Sequence, residues 1–256
     1  MEKRLDVYLV DNNDYDSRNK AQEHIKNGYV SVNNKIITKA SFKVNELDKV
    51  TIKKDDDEYA GRGAYKLLDA IESFNIILDN KVCLDIGAST GGFSDVCLRN
   101  NAKFVYAVDV GHDQLIKRIR EDKRVNSIEG INARYLEKDL FEYHLDFICM
   151  DVSFISIKKI FDNLVTILDN PYEMVFLIKP QFEAGKANIG KNGIVKDKKV
   201  HKQILTDYLS YFAVHNINVC GLKKCSITGK DGNQEYLVYL NSNKKNKIFD
   251  IDRIVR

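Results

Sequence analysis

Four short apolar runs stand out after residue 80, and each ends in a charged residue: Val82-Cys-Leu-Asp85, Phe104-Val-Tyr-Ala-Val-Asp109, Phe147-Ile-Cys-Met-Asp151 and Met174-Val-Phe-Leu-Ile-Lys179. Their ends are 24, 42 and 28 residues apart, room each time for a crossover helix. Continuous apolar runs with helical connections predict parallel strands buried on both faces, hence an α/β domain with a mainly parallel sheet. Ligands of such sheets sit beyond the carboxyl ends of the strands, which puts Asp85, Asp109, Asp151 and Lys179 on one expected rim. Any one of them is explained by a strand that stops where polarity begins; four together favour a shared site. Ala64, Leu67, Leu68 and Ile71 recur at i, i+3, i+4 and i+7 and predict a helix ahead of the first strand.

The first 54 residues follow a different pattern. Arg18 to Lys26 reads as a short helix, with Ser17 as its N-cap and Gly28 as its stop. Tyr29 to Val32, the pair Asn33-Asn34 and Lys35 to Ile37 read as strand, turn and strand, and Asp48 to Ile52 as a closing strand. The run Asp55-Asp-Asp-Glu58 predicts an exposed linker, because four like charges repel within any packed element. The expected organisation is a small α+β domain over 1–54, a linker over 55–61 and one larger domain over 62–256.

Composition narrows the class. Of 256 residues, 44% are apolar and 30% charged, the balance of a soluble globular chain, and a net charge of +3 identifies no partner. Met1 to Asp16 carries five acidic residues and no apolar core, so no signal peptide is expected there. No apolar run approaches the ~18 residues of a membrane span, so no membrane partner is expected. Five cysteines, an odd number, read as reduced buried thiols in a cytoplasmic protein, and the five histidines show no metal-ligand spacing. Neither a metal nor a disulfide framework is expected to organise the fold.

The first strand leads into Gly87-Ala88-Ser89-Thr-Gly91-Gly92-Phe93, where glycines let the backbone turn and approach a ligand closely. Asp109 follows 18 residues after Gly91, close to the spacing of an acidic residue that takes ribose hydroxyls. The phosphate-loop lysine is absent and the spacing is not G-x-G-x-x-G, so a nucleoside cofactor without a phosphate demand fits best. Asp139-Leu140 reads either as a neighbour of an adenine or as part of a solvated loop. Residues 179–202 hold seven lysines against Glu183 and Asp197, with Gly185, Gly190 and Gly193 interleaved. That loop either closes on an RNA backbone, through residues such as Lys186 and Lys191, or is simply solvated. Arg4, Arg18 and Lys20 are further phosphate-contact candidates with the same alternative. Arg62 and Arg134 stand either near the rim or in structural roles.

Several phrases together resemble the haemolysin A (TlyA) family: Asp85-Ile-Gly-Ala-Ser-Thr-Gly-Gly-Phe93, Ala107-Val-Asp-Val-Gly111, Met150-Asp-Val-Ser-Phe-Ile-Ser156, Leu177-Ile-Lys-Pro-Gln-Phe-Glu-Ala-Gly185 and Gly232-Asn-Gln-Glu-Tyr-Leu237. That family is similar to the FtsJ-type ribose 2′-O-methyltransferases. Ser17-Arg-Asn-Lys-Ala-Gln and Gly28-Tyr-Val-Ser-Val-Asn resemble the RNA-binding domain of ribosomal protein S4. Glu58-Tyr-Ala-Gly-Arg-Gly-Ala-Tyr-Lys66 departs from the family's usual Ser-Arg-Gly-Gly before the lysine. The resemblance implies a Rossmann-like class I methyltransferase fold behind an S4-like domain, with S-adenosylmethionine as cofactor. It implies 2′-O-methylation of cytidine in ribosomal RNA, with ribosomal RNA or ribosomal subunits as partners. The cofactor would lie along Asp85, Gly87, Ala88, Ser89, Gly91, Gly92, Phe93 and Asp109. A Lys-Asp-Lys-Glu tetrad would fall on Lys66, Asp151, Lys179 and Glu235.

The hydrophobic pattern supports part of that tetrad independently. Asp151 and Lys179 are already expected on the rim, and Glu235 opens the apolar run Tyr236 to Leu240, where an antiparallel last strand would start at the same edge. Lys66 lies off the stripe of its helix, and pattern alone would leave it an exposed lysine. Three other readings stay open: a non-catalytic RNA-binding assembly factor, a membrane-damaging haemolysin, and a methyltransferase of DNA or small molecules.

Overall fold

The computed structural model describes residues 2–12, 14–15, 17–26, 28–52, 59–229 and 232–256, with Lys191 described by its backbone alone. It divides into two units, Met1–Glu58 and Tyr59–Arg256. The acidic run Asp55 to Glu58 lies outside the described residues. Tyr59 to Gly61, read from the sequence as linker, belong to the second unit, where the Ala60 N–H donates to Asp95 at 2.8 Å.

The first unit runs β1 (Lys3–Arg4), α1 (Leu5–Asp11), α2 (Arg18–Lys26), β2 (Val30–Val32), β3 (Lys35–Ile36), β4 (Lys43–Val44) and β5 (Val50–Ile52). Ser17 Oγ accepts the Lys20 N–H, the N-cap contact expected of it. Gly28, at φ +80°, turns the chain out of α2. Asn33 and Asn34 both take positive φ, 51° and 65°, as a two-residue hairpin turn of matching twist requires, and β2 pairs antiparallel with β3 and β5. Helix α1 has no counterpart in the sequence reading. Leu5 and Leu9, one helical turn apart, are fully buried with Ala21, Ile25, Val30, Val32 and Val44, and two leucines are too short a stripe to read alone.

The second unit is α3 (Ala64–Phe74), β6 (Val82–Ile86), α4 (Gly92–Arg99), β7 (Phe104–Asp109), α5 (Lys117–Arg120), β8 (Val125–Glu129), β9 (Phe147–Met150), α6 (Lys158–Ile167), β10 (Glu173–Ile178), α7 (Pro180–Glu183), α8 (Lys198–Val214), β11 (Val219–Lys224), β12 (Tyr236–Asn241) and α9 (Ile251–Val255). Seven strands form one sheet in the order β11-β12-β10-β9-β6-β7-β8, parallel from β10 to β8, with β12 antiparallel to both neighbours. The α/β expectation and its mainly parallel sheet hold.

Alternation along the strands divides the core between two faces. Leu84, Ile86, Ile148, Met150 and Phe176 pack under α6 and α8 against Phe161, Leu164, Leu205 and Phe212. Cys83, Val105, Cys149, Val175 and Leu237 pack under α3 and α4 against Ala64, Leu67, Phe93 and Val96. All five cysteines are buried free thiols. No helix among the described residues is long and apolar enough to cross a membrane.

The topology decides where the chain can bind. Between β6 and β9 the direction of winding reverses, opening the carboxyl edge of the sheet there. β9 stops at Met150 and β10 at Ile178, so Asp151 and Lys179 are the first residues past their strands.

Candidate active site

The floor of the site is the turn from β6 into α4. Gly87 sits at φ +82°, and a Cβ there would lie 3.0 Å from the Asp151 carbonyl oxygen, so only glycine lets these two strand exits meet. Gly91, at φ +96°, caps α4, and its Cβ position is closed by Leu115 at 3.0 Å. Asp109 braces the turn from the next strand: its two carboxylate oxygens accept the N–H groups of Ser89 and Gly111, each at 2.8 Å.

Asp85 departs from expectation. Because β6 continues through Ile86, the Asp85 side chain lies inside the sheet, 1% exposed, and on the wall of neither cavity described below. Its Oδ2 accepts the backbone N–H and hydroxyl of Ser94, at 2.8 and 2.7 Å, which ties down the first turn of α4. Its Oδ1 has no protein partner. Burial pushes the carboxyl up to about 7, against the opposing pull of the Ser94 hydrogen bonds.

Two cavities share this edge. The larger, about 860 Å³, is lined by Gly87, Ser89, Asp109, Val110, the segment Ile131 to Arg134, the loop Asp151 to Ser156, and Phe182. The smaller, about 250 Å³, is lined by Gly61 to Gly63, Gly87 to Thr90, Gly92, Phe93, Asp151, Ser153 and Lys179. Gly87, Ser89, Asp151 and Ser153 belong to both walls. Of the expected cofactor residues, Gly91 and Asp85 thus act behind the surface and the other six form it. Asp139 is exposed and on neither wall, whereas Asn132 and Ala133 line the larger cavity.

At the junction of the cavities four charged side chains meet. Lys66 Nζ lies 3.1 Å from Asp151 Oδ2 and 2.7 Å from Glu235 Oε2, and Lys179 Nζ lies 2.6 Å from Asp151 Oδ1. The first is a hydrogen bond; the other two are close charge contacts at angles outside hydrogen-bond geometry. Lys179 also donates to Ser153 Oγ at 3.0 Å. The result is a chain, Lys179–Asp151–Lys66–Glu235, with two charges of each sign. Lys66 and Glu235, at 9% and 2% exposure, line neither cavity, so only Asp151 and Lys179 face a ligand.

This electrostatic arrangement is self-consistent. Burial disfavours charge on Lys66, yet Asp151 and Glu235 outweigh it and raise its pKa above the ordinary lysine value. Burial likewise opposes charge on Asp151, yet Lys179 and Lys66 hold it below the usual carboxylate range. Lys66 escapes the exposed position its pattern suggested because the first turn of α3 abuts the strand exits, beside the Glu235 end of β12.

Other expected residues fall in three places. Arg62 lines the smaller cavity and Arg134 the larger, and Lys186 is exposed on the basic loop. The Lys191 side chain lies outside the described residues. In the first unit, Arg4 and Arg18 converge on fully buried Asp6, at 2.9 and 3.0 Å, while their side chains stay 46% and 53% exposed. Lys20 is exposed on α2. Sequence reasoning assigned no role to Phe154, which stands 90% exposed at φ +64° on the larger cavity wall and leans on Phe182, ring centroids 5.0 Å apart. A phenylalanine in the polar loop after a strand was the signal available.

Comparison with known proteins agrees with this architecture. The FtsJ-like methyltransferase model matches residues 59–242, and the S4 domain model matches residues 3–50. Hemolysin A of Brachyspira hyodysenteriae is 41% identical over 242 residues, covering 92% of this chain and 98% of that protein. The 16S/23S rRNA (cytidine-2′-O)-methyltransferase TlyA of Mycobacterium tuberculosis is 34% identical over 238 residues, covering 93% and 89%. A solved structure described as "Putative hemolysin from Streptococcus thermophilus" is similar at a TM-score of 0.75 and 37% identity, covering 99% of this chain and 94% of that one. The chain therefore belongs to the FtsJ-like methyltransferase family, in the group that includes hemolysin A and TlyA, with an S4 domain preceding the methyltransferase domain.

Proposed function

We propose that this protein transfers a methyl group from S-adenosylmethionine to the 2′-hydroxyl of a cytidine in ribosomal RNA, acting in the cytoplasm on RNA or ribosomal subunits. The observation that carries the reading is the charged chain Lys179–Asp151–Lys66–Glu235, open to ligand only at Lys179 and Asp151, beside a glycine-floored cavity. The substrate class is supported by the S4 match and by the activity for which the Mycobacterium tuberculosis relative is named.

The residues present suit the cofactor. The larger cavity, about 860 Å³, is in the usual size range of small-molecule sites. Its floor admits no Cβ at Gly87, and the Asp109 carboxylate on its wall keeps lone pairs free for ribose hydroxyls beyond the two backbone N–H groups it accepts. When bound, the cofactor supplies an electrophilic methyl group on a sulfonium. The protein does the rest by placement. Lys179 orients the 2′-oxygen and collects its proton, Asp151 aims Lys179, and Lys66, itself kept charged by Glu235, helps hold Asp151 in its charged form. Orientation of two reactants in attack geometry contributes roughly 7–11 kcal/mol, more than a proton-transfer effect alone.

Phe154 and Phe182 beside Lys179 offer an aromatic face on which a base drawn out of the RNA can stack. Phosphate contacts are assigned to Arg4, Arg18, Lys20, Arg62, Lys186 and Lys191.

Radiolabelled methyl transfer to ribosomal RNA, followed by mass-spectrometric mapping of ribose methylation, tests the reading. Lys179→Ala is expected to abolish transfer while S-adenosylhomocysteine still binds. An inactive wild-type protein that binds RNA would leave an assembly factor instead, and near-normal turnover by Lys179→Ala would overturn the role given to that lysine.

A further inference from the structure

The cluster raises a question of proton traffic. If Lys179 collects the proton of the hydroxyl being methylated, that proton must leave a side chain only 7% exposed. Asp151 is a poor recipient, because Lys66 and Lys179 together stabilise its charged form despite its burial. Glu235 is turned away, against Lys66, and lines neither cavity. Ser153 alone among the described hydrogen-bond partners of Lys179 Nζ is both exposed and part of the two cavity walls.

We propose that Ser153 is a positioning residue for Lys179 and the relay through which its proton returns to water. The inference rests on the methyl-transfer reading above. As the 2′-oxygen bonds to the methyl carbon, the methyl–sulfur bond breaks with its electron pair left on sulfur. The hydroxyl proton passes to the free-amine form of Lys179. The resulting ammonium then gives one proton to Ser153 Oγ while the Ser153 hydroxyl releases its own to solvent, and the amine is restored.

The loop that carries Ser153 is held for this purpose. Its neighbour Phe154 takes a left-handed φ of +64°, a conformation that a bulky side chain adopts only where its surroundings impose it. Beside that twist the Ser153 hydroxyl lies against Lys179 and the Phe154 ring stands in the open. The far end of the loop is tied to α7 and α8 by Glu183, whose Oε1 accepts the Ile157 N–H at 3.3 Å and the Tyr208 hydroxyl at 2.6 Å. The Lys179 ammonium therefore has Asp151 on one side and Ser153 on the other, with the Phe182 ring 5.9 Å away and Arg62 on the same cavity wall.

The test uses the full-length protein with ribosomal subunits from cells lacking its gene, and single-turnover methyl transfer measured from pH 6 to 9. Ser153→Ala should lower the plateau rate roughly 10- to 100-fold, the scale of one lost hydrogen bond to a charged group. KM for the subunits and affinity for S-adenosylhomocysteine should not change. Ser153→Thr, which keeps the hydroxyl, should recover most of the rate. A Ser153→Ala enzyme with wild-type rate would overturn the proposal, as would a loss shared equally by KM and cofactor binding. Wild-type protein that transfers no methyl at all would instead remove the function on which it rests.

Discussion

Replacing Lys66 by methionine probes the electrostatic logic of the site most directly. Lys66 is the counter-ion of two carboxylates, Asp151 at 3.1 Å and Glu235 at 2.7 Å, and it is 9% exposed. Methionine fills similar volume without charge, so the change leaves two buried carboxylates sharing a space with Lys179 as the remaining cation. Breaking a buried pair by removing one partner costs about 3–5 kcal/mol. For a unit of this size that corresponds to a fall of roughly 6–20 °C in the melting temperature. The pH dependence has a definite sign. In the wild type Asp151 has a depressed pKa, so its contribution is present above the ordinary carboxylate value and is lost only as pH falls through the depressed one. In the variant Asp151 loses the part of that depression supplied by Lys66 and shifts upward, so the deficit relative to wild type is largest at pH 8 and shrinks towards pH 5. Calorimetric melts of both proteins at the two pH values, following the transition of the second unit, measure this. A variant that melts with wild type at pH 8, or a gap that widens in acid, would refute the account of the cluster as mutually stabilised charges.

Three other substitutions separate the remaining elements. Asp109→Ala removes the acceptor of the Ser89 and Gly111 N–H groups; titration calorimetry should show S-adenosylhomocysteine binding weakened roughly 10- to 100-fold, the scale of one or two charge-assisted hydrogen bonds. Phe154→Ala, at a 90% exposed position, should leave the melting temperature unchanged and lower kcat/KM for RNA by about 5- to 100-fold, as expected for one base–aromatic stack. Asp6 accepts from Arg4 first, then from Gln22 and Arg18, and these contacts hold its carboxyl well below the usual range although it is buried. Its stabilisation is present above the ordinary carboxylate pKa and disappears only in strong acid, so Asp6→Ala should cost the first unit about 1.5–3 kcal/mol at pH 7, and less in strong acid. Filter binding should show RNA affinity falling with it, as Arg4 and Arg18 lose their common anchor.

Chain-local physics was enough to read much of this protein. Continuous apolar runs such as Phe104 to Asp109 can only be strands buried on both faces, and crossover lengths with parallel pairing then force their carboxyl ends onto one edge. Asp151 and Lys179 follow, as does Glu235 once its strand runs antiparallel. Turn chemistry is equally local: Asn33-Asn34 and Gly28 appear where the backbone needs positive φ. Depth within the sheet is another matter. Asp85 looked like a rim residue until β6 proved one residue longer, which turned its carboxylate onto the start of α4. Lys66 occupies the polar side of its helix by pattern, and only the docking of α3 against the strand exits makes that side an interior one. Ser153 and Phe154 acquire meaning from a left-handed twist in a loop whose far end is tied to α7 and α8, elements dozens of residues further along the chain. Hydrophobic periodicity specifies which face of each element is buried, because that free energy is local and additive. The partner of each buried charge depends on distances across the assembled sheet, and those exist only once the chain has folded.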